Sequence, residues 1–171
     1  VIEAYNNFLS DFCMHAPERL WGIAIVPVTG VSDAIAELKR TRDKPGLRGW
    51  GLSQFPSGNP YPVPEDDIFW AEAIKTKAPI TAHVTFGGGM LSDPDTTMIK
   101  GNSAIMHVLV TGGAPQPFYT ITQLTMKGVF DRFPDLRLHF AEAGLGWVPY
   151  TLEQADDRFL RHRFAEAKTN A

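Results

Sequence analysis

The sequence predicts an α/β fold in which parallel strands alternate with helices, as in a barrel or an open sheet. Four short runs rich in apolar residues are typical of strands covered on both faces. They span 20–28, 47–53, 79–85 and 134–144. Segments with a helical spacing of apolar residues separate the runs, which favours right-handed crossovers between parallel strands. We expect residues 1–171 to form one domain.

The first two helices are predicted from their apolar spacing. Residues 1–14 form the first helix. Its predicted buried face contains Ile2, Tyr5, Leu9 and either Phe12 or Cys13. Ser32 is the predicted cap of the second helix. In that helix Ile35 and Leu38 point inward, and Glu37 points outward.

Two loops and three further helices complete the pattern. Residues 54–64 contain four prolines, which predicts a surface loop. Asp66 and Asp67 begin the next helix, where negative charge suits the positive end of the helix dipole. Residues 87–117 interrupt the alternation, and either a substrate lid or a mobile surface insertion accounts for this excursion. The last two helices are predicted at 117–133 and 147–167.

Composition limits the classes of function. Sixteen Lys and Arg against nineteen Asp and Glu give a net charge of −3 with both signs dispersed, which argues against nucleic acid or an anionic membrane as the main partner. The single cysteine, Cys13, leaves no internal disulfide and favours a reducing, cytoplasmic setting. No apolar run reaches the roughly 18 residues of a membrane span. Because Val1 is not methionine, we expect the numbering to begin inside a longer polypeptide.

His83 is the first candidate for chemistry. It closes an otherwise uncharged strand, and a glycine turn follows within a few residues. Active sites of barrels and open sheets lie at the carboxyl ends of the strands, where a neutral imidazole can bind a divalent metal. A purely structural histidine is the alternative.

Glu142 is the second candidate, because it closes the fourth run and opens onto Ala-Gly-Leu-Gly. A glutamate there would be partly desolvated, which suits acid–base catalysis or metal ligation. A buried salt bridge is the alternative. His139 lies three residues earlier and is therefore predicted to point to the opposite, helix-covered side. We expect His83 and Glu142 to face one shared mouth.

Three further residues are candidates for shaping a pocket beside this pair, namely Trp50, Gln54 and Met90. The glycines at 87–89 lack the spacing of a dinucleotide fingerprint. Neither a phosphate-binding loop nor a nucleophile elbow occurs in the sequence. The motifs therefore favour metal or acid–base chemistry over nucleotide binding.

Several segments together carry a family resemblance. The most specific is GVFDRFPDLRLHFAEAGLGWVPYTLEQADDRF, from Gly128 to Phe159, and YNNFLSDFC, APERLWGIAIVPV, LRGWGLS and FWAEAIKTKAPITAHV support it. Over nearly its whole length the chain resembles the second amidohydrolase family. This family includes the aminocarboxymuconate semialdehyde decarboxylases and related metal-dependent hydrolases.

The resemblance implies a TIM-type (β/α)8 barrel with a divalent metal ion, for which we expect zinc. His83 matches the metal-binding histidine of the middle barrel strand, and Glu142 occupies the position of the decarboxylases' catalytic histidine. The family's His-x-His pair and its late aspartate ligand are not among residues 1–171. A complete barrel needs about 250 residues, so we expect the chain to be the central portion of one.

The function implied is metal-dependent hydrolysis or non-oxidative decarboxylation of a small carboxylated or cyclic substrate. His83 would hold the metal, and Glu142 would transfer a proton. The alternative is a catalytically incomplete α/β fragment that serves as a structural or oligomerising module. The exposed strand edges of such a fragment would favour oligomerisation, and we expect a homo-oligomer.

Overall fold

The computed structural model describes residues 1–83 and 115–166, except for the side chains at 115, 116, 163, 165 and 166. The described strands form one parallel sheet in the order β1-β2-β3-β4. They are β1 (Gly22–Ile25), β2 (Leu47–Leu52), β3 (Ile80–His83) and β4 (Leu138–Ala141). Each strand lies within one of the four predicted runs, so the predicted parallel β/α architecture is confirmed.

The described part of the chain contains six α-helices. They are α1 (Ile2–Cys13), α2 (Val31–Thr41), α3 (Asp67–Ala73), α4 (Pro115–Met126), α5 (Val129–Arg132) and α6 (Trp147–Glu166). Short 3₁₀ turns at Pro64–Asp66 and Ile74–Thr76 flank α3. The single helix predicted over 117–133 is two helices, because Gly128 between them has a left-handed backbone with φ of 63°. None of the described helices is long and apolar enough to cross a membrane.

The two faces of the sheet differ in what covers them. On the covered face, in-register rows of side chains pack against the helices to form the core. These rows are Ala24, Trp50, Ile80 and Leu138, followed by Leu52, Ala82 and Phe140. The opposite, open face carries a row that we call the inner row, made of Ile25, Gly51, Thr81 and His139. One pleat closer to the carboxyl edge, His83 pairs with Ala141.

The buried face of α1 is not the predicted one. Asn6, Ser10 and Cys13 are buried, whereas Tyr5 and Phe12 are 43% and 49% exposed. Polar residues face inward because they satisfy backbone groups. The Asn6 amide donates to Ile25 O at 2.8 Å and accepts from Ile25 N at 2.8 Å, and Ser10 Oγ donates to Pro45 O at 2.7 Å. A prediction from apolar spacing alone cannot anticipate this role.

The prediction that Glu37 points outward is also wrong. Glu37 is 5% exposed, accepts from Asn6 Nδ2 at 2.6 Å and receives two hydrogen bonds from Arg40, at 2.7 and 2.6 Å. Burial acts to raise the pKa of the Glu37 carboxyl, but the hydrogen bonds from Arg40 and Asn6 outweigh it and the pKa is lowered. The helix begins after Gly30 without a side-chain cap, so Ser32 does not cap it.

Asp66 organises the proline-rich loop that follows β2. Its carboxylate is fully buried and accepts hydrogen bonds from Ser57 N at 2.8 Å, Ser57 Oγ at 3.3 Å and Val63 N at 2.9 Å. Two of these donors are backbone amides. The predicted surface loop at 54–64 is confirmed, and the buried Asp66 carboxylate connects its two ends through these hydrogen bonds.

Candidate active site at the carboxyl edge of the sheet

His83 and Glu142 meet at the carboxyl edge of the sheet. His83 is the last residue of β3 and pairs in register with Ala141, the last residue of β4. Glu142 follows directly, and its Oε2 lies 3.2 Å from His83 Nε2. The structure therefore brings together the two residues that were predicted to share a mouth. Their chemical roles stay predictions.

The backbone at Glu142 explains the contact. Glu142 has a left-handed φ of 59°, which few non-glycine residues adopt, so the alternation of β4 stops at Ala141. The Glu142 side chain is thereby directed to His83. The expected desolvation of this glutamate is wrong for the described residues, because its side chain is 74% exposed and that of His83 is 49% exposed. The pair is accessible to a ligand from solvent.

His139 lies on the open face, contrary to the prediction. It pairs with Thr81 and is exposed, whereas its neighbours Leu138 and Phe140 pack against the core. The prediction counted strand alternation through Glu142, and the left-handed residue at that position breaks the count. His139 therefore belongs to the same face as His83, two residues further from the edge. The apolar neighbours on both sides of His139 were the signal that could have placed it correctly.

The three predicted pocket residues have different surroundings. Trp50 is 3% exposed in the core, on the covered face, and its indole N–H donates to Thr41 Oγ1 of α2 at 2.8 Å. This placement gives Trp50 a packing role, and we leave it out of the proposed site. Gln54 is half-buried, two residues beyond β2 on the carboxyl side, where a pocket residue would lie. Met90 lies outside the described residues.

Two of the side chains at this edge carry groups that can bind a metal ion. Within residues 1–83 and 115–166, no three His, Cys, Asp or Glu side chains are grouped closely enough to hold a metal ion. His83 and Glu142 are two adjacent donors with the nitrogen and oxygen ligands that zinc and other divalent cations accept.

A parallel β/α sheet with a histidine–glutamate pair at its carboxyl edge defines a part of a barrel of the kind that (β/α)8 enzymes use. A family model for amidohydrolases matches residues 1–169. The chain therefore belongs to the amidohydrolase family, and the resemblance noted in the sequence is confirmed.

Decarboxylases are among the relatives of this chain. Decarboxylase orsB of Emericella nidulans is 27% identical over 150 residues, which are 85% of this chain and 44% of that protein. The chain thus spans less than half the length of this relative.

Solved structures confirm the fold. The apo form of IDCase from Metarhizium anisopliae superposes with a TM-score of 0.75 at 20% identity, covering 93% of this chain and 41% of that one. A dihydroxybenzoic acid decarboxylase from Polaromonas, with bound manganese and the inhibitor 2-nitroresorcinol, superposes with a TM-score of 0.58 at 21% identity, covering 96% and 48%. The chain corresponds to about half of such a barrel.

Proposed function

We propose that the protein is a metal-dependent, non-oxidative decarboxylase of a small aromatic carboxylate. The observation that carries this proposal is the pair of His83 and Glu142, 3.2 Å apart at the carboxyl edge, with His139 on the same face. The named decarboxylase relative favours decarboxylation over hydrolysis. The dihydroxybenzoic acid decarboxylase with its resorcinol inhibitor suggests a hydroxylated aromatic acid as the substrate class.

The donor atoms of the pair suit a divalent cation. His83 Nε2 lies 3.2 Å from Glu142 Oε2, so a cation held by His83 would have the Glu142 carboxylate beside it. His83 would hold the cation, which would polarise a bound carboxylate or hydroxyl oxygen. A catalytic metal usually has about three protein ligands, so further ligands would come from residues outside the described ranges.

The reaction itself requires a proton. In non-oxidative decarboxylation the bond between the ring carbon and the carboxylate breaks, CO2 leaves, and a proton takes its place on that carbon. We assign this proton transfer to Glu142, since its carboxyl is exposed at the rim and lies beside His83. His139, which is exposed in the inner row on the same face as His83, would donate a hydrogen bond to the bound acid.

The full-length protein is the right material for the test. Turnover of 2,6-dihydroxybenzoate is followed by CO2 release, and bound zinc and manganese are measured in the same samples. We expect His83→Ala to lose both the metal and turnover. Glu142→Gln should keep the metal and turn over at least a hundredfold more slowly, about 3 kcal/mol in the barrier.

Matched controls change the same residue types elsewhere. His15→Ala in the turn after α1 and Glu65→Gln in the 3₁₀ turn before α3 both alter exposed residues and should leave metal content and turnover unchanged. Normal turnover in His83→Ala would remove that residue from the site. A wild-type protein that hydrolyses amides or lactones but releases no CO2 would overturn decarboxylation and restore the hydrolase alternative.

We also propose that the protein acts in the cytoplasm as a homo-oligomer. Aromatic side chains are exposed on helices at both ends of the chain, including Phe8 and Phe12 at 62% and 49% on α1 and Phe159 at 61% on α6. Such apolar surface favours burial against another surface. Light scattering of the full-length protein after size-exclusion chromatography tests this, and a monomeric mass would refute it.

A further inference from the structure

Asp66 is a buried titratable group that the proposed reaction does not use. Its carboxylate is 0% exposed and accepts from Ser57 N at 2.8 Å, Ser57 Oγ at 3.3 Å and Val63 N at 2.9 Å. All of these donors are neutral, and among residues 1–83 and 115–166 no cationic side chain forms an ion pair with Asp66. Burial of a carboxylate without a cation is costly. What the Asp66 carboxylate contributes is a fixed geometry for both ends of the loop at 54–64.

The start of this loop lies beside the candidate active site. Leu52, the last residue of β2, pairs with Ala82 on β3, and His83 follows Ala82. Ser53 therefore lies level with His83, at the end of a strand about 4.8 Å away. Leu52 is buried on the covered face and Ser53 has no left-handed backbone, so alternation directs the Ser53 side chain to the face of His83. Ser53 is exposed there, and the next residue, Gln54, is half-buried.

The residues that follow Gln54 anchor the loop. Phe55 belongs to the core, Pro56 is buried, and Gly58 N donates to Phe55 O at 2.8 Å. Gly58 has φ of 79°, and a Cβ atom there would lie 3.0 Å from Val28 O in the segment after β1. The loop is therefore packed tightly against the core and against the exit of β1. All of these contacts lie within the described part of the chain, so they do not depend on the strands that complete a barrel.

We propose that Asp66 is a positioning residue for the candidate active site. By fixing the loop it holds Ser53 and Gln54 beside His83, where the hydroxyl and the amide donate hydrogen bonds to the oxygen atoms of the substrate acid. Asp66 itself does not touch the substrate. The inference rests on the proposed function, and it assigns to Ser53 and Gln54 the binding of the acid rather than the chemical step.

Calorimetric titration of the full-length protein with 2,6-dihydroxybenzoate tests the proposal. Gln54→Ala should weaken binding about tenfold through loss of a hydrogen bond to a charged group. Asp66→Asn should weaken binding about fivefold, because a loosened loop must be ordered when the acid binds. In both variants kcat for CO2 release should stay within about twofold of the wild type, since neither residue takes part in the proton transfer.

A double-mutant cycle separates positioning from general destabilisation. Because the amide of Gln54 is already displaced in Asp66→Asn, Gln54→Ala should weaken binding only about twofold in that background. A purely structural Asp66 would leave the two effects additive. Gly58→Ala displaces the loop from the side of Val28 and should weaken binding as Asp66→Asn does. Gly58→Ala replaces Asp66→Asn in the cycle if the latter does not fold.

Gly46→Ala is the matched control for stability. This substitution acts at the opposite, amino end of β2, where an added Cβ would lie 2.6 Å from Cys13 Cβ. It should destabilise the protein and leave the Kd for the acid unchanged. All variants are compared at a temperature at which circular dichroism shows them to be folded.

The results also separate the positioning role from the proposed function. Additive effects in the cycle, an unchanged Kd in Asp66→Asn, or an equally weakened Kd in Gly46→Ala would overturn the role of Asp66. If the cycle is non-additive but the wild type releases no CO2 from the bound acid, decarboxylation fails and the positioning role stands. Release of CO2 together with additive effects has the opposite meaning, and a wild type that does not bind the acid would overturn both.

Discussion

Removal of the Asp66 carboxylate should unfold the loop after β2 and destabilise the whole chain. Asp66 is fully buried and accepts from two backbone amides, Ser57 N at 2.8 Å and Val63 N at 2.9 Å. Asp66→Ala leaves both donors without this acceptor. A buried donor that loses its partner costs about 1–3 kcal/mol, and Ser57 and Val63 are half-buried, so we expect a total loss of about 2–4 kcal/mol in the free energy of unfolding.

Asp66→Asn refines this prediction. The amide keeps one oxygen for Ser57 N but turns an NH2 group toward Val63 N, where a second donor repels the first. Its loss of stability should fall between the wild type and Asp66→Ala. The two variants together separate the hydrogen bonds from the volume of the side chain.

Equilibrium urea denaturation of the full-length protein measures these losses, with tryptophan fluorescence, to which the buried Trp50 and Trp70 contribute, as the signal. Glu65→Ala, an exposed neighbour in the same 3₁₀ turn, is the control and should change stability by less than about 0.5 kcal/mol. If Asp66→Ala is no less stable than Glu65→Ala, the carboxylate does not hold the loop.

Three other substitutions test separate features of the fold. Because the folded state lowers the pKa of Glu37 below its ordinary value of 4.5, the wild type should lose stability as the pH falls below that value. Glu37→Gln should be less stable at pH 7, and its urea midpoint should change less than that of the wild type between pH 5 and pH 3. An equal change of the urea midpoint in both proteins would refute this. Gly46→Ala should lower the free energy of unfolding by about 2–5 kcal/mol, because Gly46 has φ of 79° and an added Cβ would lie 2.6 Å from Cys13 Cβ. Gly146→Ala is the control, since the space around Gly146 is open. Trp50→Phe should lower the free energy of unfolding, measured by urea titration, by about 1–2 kcal/mol, because the hydrogen bond from the indole N–H to Thr41 is lost. The same variant should leave the Kd for 2-hydroxybenzoate unchanged, and a weaker Kd would return Trp50 to the binding site.

Patterns that depend on neighbouring residues were predicted well. The four strands and the loop at 54–64 follow from local apolar spacing and turn residues. The meeting of His83 and Glu142 was predicted because carboxyl ends of adjacent parallel strands share one edge, a rule that needs no side-chain detail.

Features that depend on long-range polar contacts were not predicted. Asn6 and Glu37 are 31 residues apart and form a hydrogen bond with each other. The burial of Asn6 also depends on its hydrogen bond to Ile25, and the burial of Glu37 on the hydrogen bond from Arg40. Apolar spacing assigns such residues to the surface. His139 was misplaced for a local reason of another kind, since no periodicity reveals that Glu142 adopts a left-handed backbone.

The Asn6 amide also constrains how further strands can join this sheet. It occupies both the N–H and the C=O of Ile25, while the next residue, Val26, donates to Gly51 O of β2. A further strand that pairs with the outer edge of β1 therefore cannot form backbone hydrogen bonds with Ile25, and its pairing is limited to the part of β1 near Gly22. α1 in this way sets the stagger with which a preceding strand could dock, and it blocks indiscriminate strand addition at that corner of the sheet.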